Sequence, residues 1–409
     1  VREYEAARAH ENGRIRMSMA IGGAGPLSHR RWWRAGTVQD VAPPEILDLG
    51  PGYLDPSLLP VDLLRESYSV ALAEFGSAAL ANGADRGALA LRKALAVRAA
   101  RADGVACEPD QVMITSGVSA ALHLLATTLA GPGEVVLVDQ VGYDHAKRVL
   151  ADAGLRVREV PADGDGMDPA ALDAAITAEG GRIAFAYLNP TFQNPTGLVM
   201  PVQRRKEIVE VAARHGLMLV EDCAYADLGL GPRRPPCSLG GLTRQRGVIR
   251  LGSFAKTLAA GLRLGWLIAE REVVDRLTGT GVVAAGGSLN HLASLAVAVL
   301  MRDGGYDSHL MWLRAQLVHR RDTLAEGLRD RFGDRFALAV PEGGFYLWIQ
   351  STVDDREEEL VSSAMSHGVR VLAGSRFGPV ERPSVRLTYA LLPPGELVTA
   401  ANRLELAWS

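Results

Sequence analysis

Between residues 61 and 290 the chain alternates short apolar runs with longer stretches of mixed polarity. The runs at 111–115, 134–139, 182–188, 217–221 and 248–252 are continuously apolar, the mark of strands buried on both faces. Stretches at 61–75, 87–103, 119–129, 146–153 and 202–215 have the composition and spacing of helices, and Gly216 stands where a helix C-cap glycine belongs. This alternation predicts an α/β fold, a mostly parallel sheet covered on both sides. From 291 the pattern changes. Long helices fill 291–331, and short strands at 336–339, 344–349, 369–372 and 384–389 predict a smaller α+β domain. Residues 1–60 read as irregular. The expected division is an N-terminal arm with part of the small domain (1–60), a large domain (61–290) and a C-terminal small domain (291–409). Within the arm, 30–34 reads Arg-Arg-Trp-Trp-Arg. Adjacent tryptophans cannot share one helix face, so packing of the arm is their expected role.

Composition narrows the class. The 409 residues are 48% hydrophobic and 22% charged, with a formal charge of −3. These values exclude disordered, collagenous and coiled-coil chains. The near-neutral balance gives no reason to expect nucleic acid or an anionic membrane as partner. No apolar run reaches the roughly 20 residues a membrane helix needs. The first twelve residues are charged and polar, unlike a secretory leader. Cys107, Cys223 and Cys237 are too scattered for a disulfide framework or a zinc site, and no histidine falls at metal-ligand spacing. No metal is expected, and the cytoplasm is the expected location. Only Lys93, Lys147, Lys206 and Lys256 are lysines among 44 basic residues. With the abundant Ala and Gly, that matches a GC-rich bacterial genome.

The chemistry collects where predicted strands end. The run at 217–221 leads into Asp222, and 248–252 leads into Ser253-Phe254-Ala255-Lys256. The run at 182–188 leads into a stretch that ends Asn194-Pro195-Thr196-Gly197. The run at 111–115 leads into Ser116-Gly117-Val118-Ser119, which opens a helix. In open parallel sheets, ligands bind beyond the carboxyl ends of the strands. A lysine near the core is held neutral or bonded, and a neutral amine forms Schiff bases with carbonyls. A buried aspartate needs a positive partner, which a protonated pyridine nitrogen supplies. The Gly-Val-Ser turn offers backbone N–H groups to a phosphate, and Arg263 adds a charge. Aldehyde, pyridinium and phosphate together describe pyridoxal phosphate.

In combination, seven motifs are specific. They are DLGPGYLDPSLLP at 48–60, Thr115-Ser116-Gly117, Asn194-Pro195-Thr196-Gly197 and Glu221-Asp222-x-x-Tyr225, then Ser253-Phe254-x-Lys256 running on to Arg263-x-Gly265, Pro341-x-Gly343-Gly344-x-Tyr346, and Arg386. In this order the chain resembles the fold-type I pyridoxal-phosphate-dependent enzymes of aminotransferase class I/II. Within them it looks like the 2-aminoadipate aminotransferase branch and the aminotransferase-like domain of MocR regulators. The resemblance spans roughly 45–400. It implies a large domain with a mostly parallel sheet of seven-stranded type. It also implies an amino-acid substrate, an oxo-acid acceptor and a homodimer; S-adenosylmethionine and arginine are candidate substrates to test.

By position, the resemblance gives roles to single residues. Lys256 forms the Schiff base and shuttles the α-proton. Asp222 pairs with the ring nitrogen. Tyr225 and Asn194 bond the ring hydroxyl, and Tyr143 stacks on the ring. Gly117, Val118, Ser119, Ser253 and Arg263 hold the phosphate. Arg386 grips the substrate carboxylate, helped by Gly52, with Tyr53 and Asn194 beside it.

The chain also departs from the family pattern. Asn82 stands where a tyrosine usually reaches the partner subunit's cofactor, and Ala373 replaces a proline. Gly52-Tyr53-Leu54 lacks the usual proline after the glycine. These changes leave open an alternative: elimination, replacement, oxidation or cyclisation in bacterial specialised metabolism. A DNA-binding regulator is set aside, because the residues ahead of 45 show no helix-turn-helix pattern.

Overall fold

The continuously apolar runs form strands in the computed structural model, which describes residue 43 and residues 45–180, 183–287 and 289–409. The Arg-Arg-Trp-Trp-Arg stretch and residue 182 lie outside the described residues. Helices α1 (Val61–Phe75) and α2 (Leu89–Asp103) come first, then β1 (Val112–Thr115), α3 (Val118–Leu129), β2 (Val135–Asp139), α4 (Asp144–Asp152) and β3 (Arg156–Val160). There follow α5 (Pro169–Ala178), β4 (Ile183–Leu188), α6 (Val202–His215), β5 (Leu219–Asp222), β6 (Val248–Ser253) and β7 (Gly265–Ile268). The seven strands make one sheet in the order β1-β7-β6-β5-β4-β2-β3. Only β7 runs antiparallel to its neighbours.

Side chains explain the covered faces. Along β2, Val136 and Val138 join Leu122, Leu125 and Leu150 on one side of the sheet. Val135 and Leu137 join Leu172, Ile176 and Ile208 on the other. Alternate residues feed alternate cores, so no polar position interrupts the run. Helix α6 ends as predicted, with Gly216 at φ 63°. That left-handed position favours glycine.

Helices α7 (Arg271–Thr278), α8 (His291–Arg302) and the long α9 (Gly305–Phe332) lead to the second sheet. Its strands are β8 (Phe336–Leu338), β9 (Tyr346–Ser351), β10 (Leu372–Ala373) and β11 (Ser384–Thr388), in the order β8-β9-β11-β10, all antiparallel. Two helices at Glu357–Ser366 and Pro394–Ala407 complete this part.

Two expectations change. The stretch 369–372 is not one strand. Val369–Arg370 pairs in parallel with Leu47–Asp48, while Leu372–Ala373 pairs with β11. Residues 1–60 are likewise not irregular throughout. Beyond Leu47–Asp48, the amide of Leu49 donates to Arg370 (2.9 Å) and its carbonyl accepts from Thr388 (2.7 Å). This double pairing anchors the segment that enters the site. Residues 45–409 pack as one unit. No helix among the described residues is long and apolar enough to cross a membrane.

Candidate active site

Strands β1, β2, β4, β5 and β6 run the same way, so their carboxyl ends share one rim. The antiparallel β7 starts at that rim, where Gly265 pairs with both Thr115 and Ser253. Asp222 closes β5 and is 5% exposed. Its Oδ2 accepts from the Tyr187 hydroxyl (2.6 Å) and its Oδ1 from the Ala224 amide (2.9 Å). Burial raises its carboxyl above the ordinary range, against those two hydrogen bonds and the nearby charge of Lys256.

Lys256 follows β6. Its Nζ donates to the Gly52 carbonyl (2.8 Å), and the rings of Tyr225, Phe345 and Tyr53 lie within 6.0 Å of it. Burial pushes its ammonium below the usual lysine value, toward the nucleophilic neutral amine. The hydroxyls of Tyr225 and Tyr346 are 2.9 Å apart. Tyr143 starts α4 beside His145, ring centroids 5.6 Å apart, and burial raises its phenol.

Arg386 projects from β11 and is 5% exposed. Its guanidinium carbon lies 4.0 Å from the Tyr346 ring centroid and 4.6 Å from that of Phe377. One Nη donates to Asn194 Oδ1 (2.7 Å) and the other to the Gly50 carbonyl. Its buried Nε has no hydrogen-bond partner among the described residues. The Asn194 amide is fixed in turn by Asn189 Oδ1 (2.9 Å).

At the opposite edge, Gly117 has φ 86° and precedes α3, whose first residue is Val118. A Cβ on Gly117 would stand 3.3 Å from an Arg263 nitrogen. Arg263 donates to the Ser116 carbonyl (3.3 Å), and no carboxylate among the described residues pairs with it. The Ser253 hydroxyl accepts from the Ala255 amide (3.0 Å). Ser119 lies in the first turn of α3 and is exposed, and Asn82 lies in the exposed loop after α1. The rim thus gathers Lys256, Asp222, Tyr225, Asn194, Gly52, Tyr53 and Arg386 closely, with Gly117, Ser253 and Arg263 at one end. A cavity of about 1050 Å³ lies elsewhere, between Val97, Arg98, Trp266, Met301 and Arg302, and shares only Ser253 with these residues.

Residues 70–404 match the family model described as aminotransferase class I and II. The chain belongs to the class I and II aminotransferases. It is 31% identical over 357 residues to the uncharacterized HTH-type transcriptional regulator YisV of Bacillus subtilis (strain 168), covering 87% of this chain and 72% of that one. It is 31% identical over 370 residues to the 2-aminoadipate transaminase of Thermus thermophilus, covering 88% and 89%. The solved structure of LysN, an alpha-aminoadipate aminotransferase from Thermus thermophilus, superposes with a TM-score of 0.79 at 28% identity, covering 94% and 96%. This class I/II aminotransferase has fold type I, uses pyridoxal phosphate, and is a transferase acting on amino and oxo acids.

The residues present fit that cofactor. A suppressed amine suits its aldehyde. A buried carboxylate suits its ring nitrogen. A left-handed glycine turn at a helix start, beside a guanidinium with no carboxylate partner among the described residues, suits its phosphate. The aminotransferase also places at this rim residues that the sequence motifs left without a role: Tyr346 against Tyr225 and Arg386, Tyr187 against Asp222, and Asn189 against Asp222 and Asn194. Tyr346 stands inside a quoted motif. Tyr187 and Asn189 have no motif, and the only signal available was their position at and just past the end of a strand that feeds the rim.

Proposed function

We propose that this aminotransferase moves an amino group from an α-amino acid to a 2-oxo acid with the following assignment of residues. Lys256 anchors the cofactor's aldehyde carbon and carries the proton to and from the substrate α-carbon. Asp222 holds a proton on the ring nitrogen. Tyr225 and Asn194 orient the ring hydroxyl, and Tyr143 covers a ring face. Gly117, Val118, Ser119, Ser253 and Arg263 hold the phosphate. Arg386 takes the substrate carboxylate, with Gly52, Tyr53 and Asn194 beside it. When bound, pyridoxal phosphate supplies a carbonyl that condenses with amines and a ring that accepts the electron pair released at the α-carbon.

One observation carries the assignment. The Lys256 amine bonds the Gly52 carbonyl, and the Arg386 guanidinium bonds the Gly50 carbonyl, two residues away on one segment. An α-amino acid likewise presents amine and carboxylate on a single carbon. The buried Nε of Arg386 is left without a hydrogen-bond partner among the described residues, so the guanidinium keeps one donor unspent.

The same proposal takes the protein as a cytoplasmic homodimer, with 61–290 as the cofactor-binding domain and 291–409 with the N-terminal arm as the small one. Exposed Val61, Leu72, Leu80, Leu89 and Val97 on and between α1 and α2 support an apolar subunit contact. Light scattering at twice the 43.6 kDa chain mass tests it. The donor is identified by titrating the yellow protein with an amino-acid panel that includes 2-aminoadipate, aromatic amino acids, arginine and S-adenosylmethionine. The expected result is loss of the visible band with one donor and its return on adding an oxo acid. No reversible bleaching with any donor, in a protein that binds cofactor, overturns the transaminase assignment.

A further inference from the structure

We propose that Tyr187 is a positioning residue for Asp222, holding its carboxylate in one rotamer and keeping it charged for the ring nitrogen. The inference rests on the assignment of Asp222 above. It begins with strand register. Strands β4 and β5 are parallel, with Tyr187 level with Val220 and Leu188 level with Glu221. Asp222 therefore projects on the same face as Tyr187, two residues further along and one strand across, roughly 8 Å away on the diagonal. The long reach of a tyrosine hydroxyl, met by the aspartate's own side chain, spans that diagonal. Serine and threonine fall short, and phenylalanine has no donor. The observed contact, 2.6 Å from the Tyr187 hydroxyl to Asp222 Oδ2, is what this geometry delivers.

The next residue on that face of the chain completes the brace. Asn189 Nδ2 donates to the Asp222 carbonyl (2.6 Å), its Oδ1 accepts from the Asn194 amide, and its own amide donates to Asp139 Oδ2 (3.1 Å). Backbone and side chain of Asp222 are thus fixed by two residues two apart, one near the end of β4 and one just beyond it. Tyr187 is 4% exposed, so its hydroxyl meets little water. A buried hydroxyl without a partner is costly, and here the partner is a carboxylate.

The titratable groups around Asp222 are Lys256 and Glu221, Cys223 next in the chain, Tyr143 across the rim, and Asp139 behind Tyr187. Burial favours the neutral acid, and the Tyr187 hydrogen bond opposes it. Removing the hydroxyl leaves Asp222 easier to protonate, and a protonated Asp222 no longer attracts a pyridinium.

The test uses cofactor-free protein and pyridoxamine 5'-phosphate, which cannot condense with Lys256. Its affinity is read from quenching of tryptophan fluorescence between pH 5 and 9. The ligand's own titrations are common to all variants and cancel in the comparison. Tyr187→Phe is expected to move the acid limb of the affinity profile up by roughly one pH unit, about tenfold weaker binding on the limb, with convergence at alkaline pH. Tyr187→3-fluorotyrosine keeps the bond with a more acidic phenol and is expected to move the limb down. Asp222→Asn removes this limb. If Asp222→Asn departs from the wild type while both Tyr187 variants superimpose on it, the inference about Tyr187 is overturned and the role of Asp222 stands. If Asp222→Asn itself superimposes, the Asp222 assignment falls, and the inference with it. Should the Phe variant not fold, an unmoved fluorotyrosine profile overturns the inference alone.

Discussion

The Nζ atom of Lys256 lies 2.8 Å from the carbonyl oxygen of Gly52, a residue 204 positions earlier in the chain. The bond is possible because the segment after Leu47–Asp48 is paired on both sides before it reaches the rim. It places an acceptor beside an amine that burial is already turning neutral. Lys256 is therefore held in place before any ligand arrives.

Replacement of that amine is the most direct check. After addition of pyridoxal phosphate and removal of the unbound cofactor by gel filtration, Lys256→Ala should lack the Schiff-base band of the wild type. It should show no mass increase after borohydride reduction, and should lose more than about a thousandfold in turnover. A reduced adduct in the variant assigns the attachment to another lysine.

Gly52 is constrained by what surrounds it. A Cβ there would collide with the Tyr346 hydroxyl and come within 3.5 Å of Lys256 Nζ. Gly52→Ala should cost about 1–3 kcal/mol in unfolding experiments and weaken cofactor binding. The collision is with the hydroxyl, so Tyr346→Phe in the same chain should restore most of the loss. A double-mutant cycle with no coupling between the two positions rejects this account.

Arg386 should not tolerate its usual substitute. Lysine offers a point charge and cannot fill the planar slot between Tyr346 and Phe377 while also bonding Asn194 and Gly50. For Arg386→Lys, the KM of the amino donor is expected to rise roughly 10–100-fold, with cofactor affinity unchanged. Steady-state kinetics beside a cofactor titration separate the two quantities. An unchanged KM removes Arg386 from substrate recognition.

Asp139 predicts a pH effect on stability. Burial pushes its carboxyl from an ordinary 3.8 up to about 6. Between those values the folded chain holds a proton that the unfolded chain has released. Its contribution is therefore fully present below pH 4 and is lost as pH rises through 6. Asp139→Asn keeps an acceptor for the Asn189 amide but cannot ionise. Urea unfolding should find the variant more stable than wild type at pH 7, on the order of 2 kcal/mol, and nearly equal at pH 4. A constant difference across that range contradicts the raised carboxyl.

What the sequence displayed and what it hid follow from pairing. Central strands such as Val135–Asp139 were legible because both faces are covered and no polar residue breaks the run. The edge strand Arg156–Val160 was not, since Arg156 and Glu159 point to solvent. The helix Pro169–Ala178 was overlooked although Asp168 caps it and proline opens it, a start signal that is local and readable. Lys256, Asp222, Asn194 and Arg386 could be singled out because each belongs to a short motif. Tyr187 and Asn189 could not. Their importance lies in the register of β4 against β5, which is a property of two strands and is written in neither.

The stacked guanidinium of Arg386 has a further consequence for how substrate choice can change. Its side-chain freedom is lost when the protein folds rather than when substrate arrives, so the entropic cost of ordering it does not fall on binding. On the proposed assignment the clamp reads a group that amino donors and oxo-acid acceptors share, with a geometry set by Tyr346, Phe377, Asn194 and Gly50. Discrimination between substrates is left to whatever meets the side chain. The two tasks are carried by different residues, and new substrates can be acquired without rebuilding the grip on the old functional group.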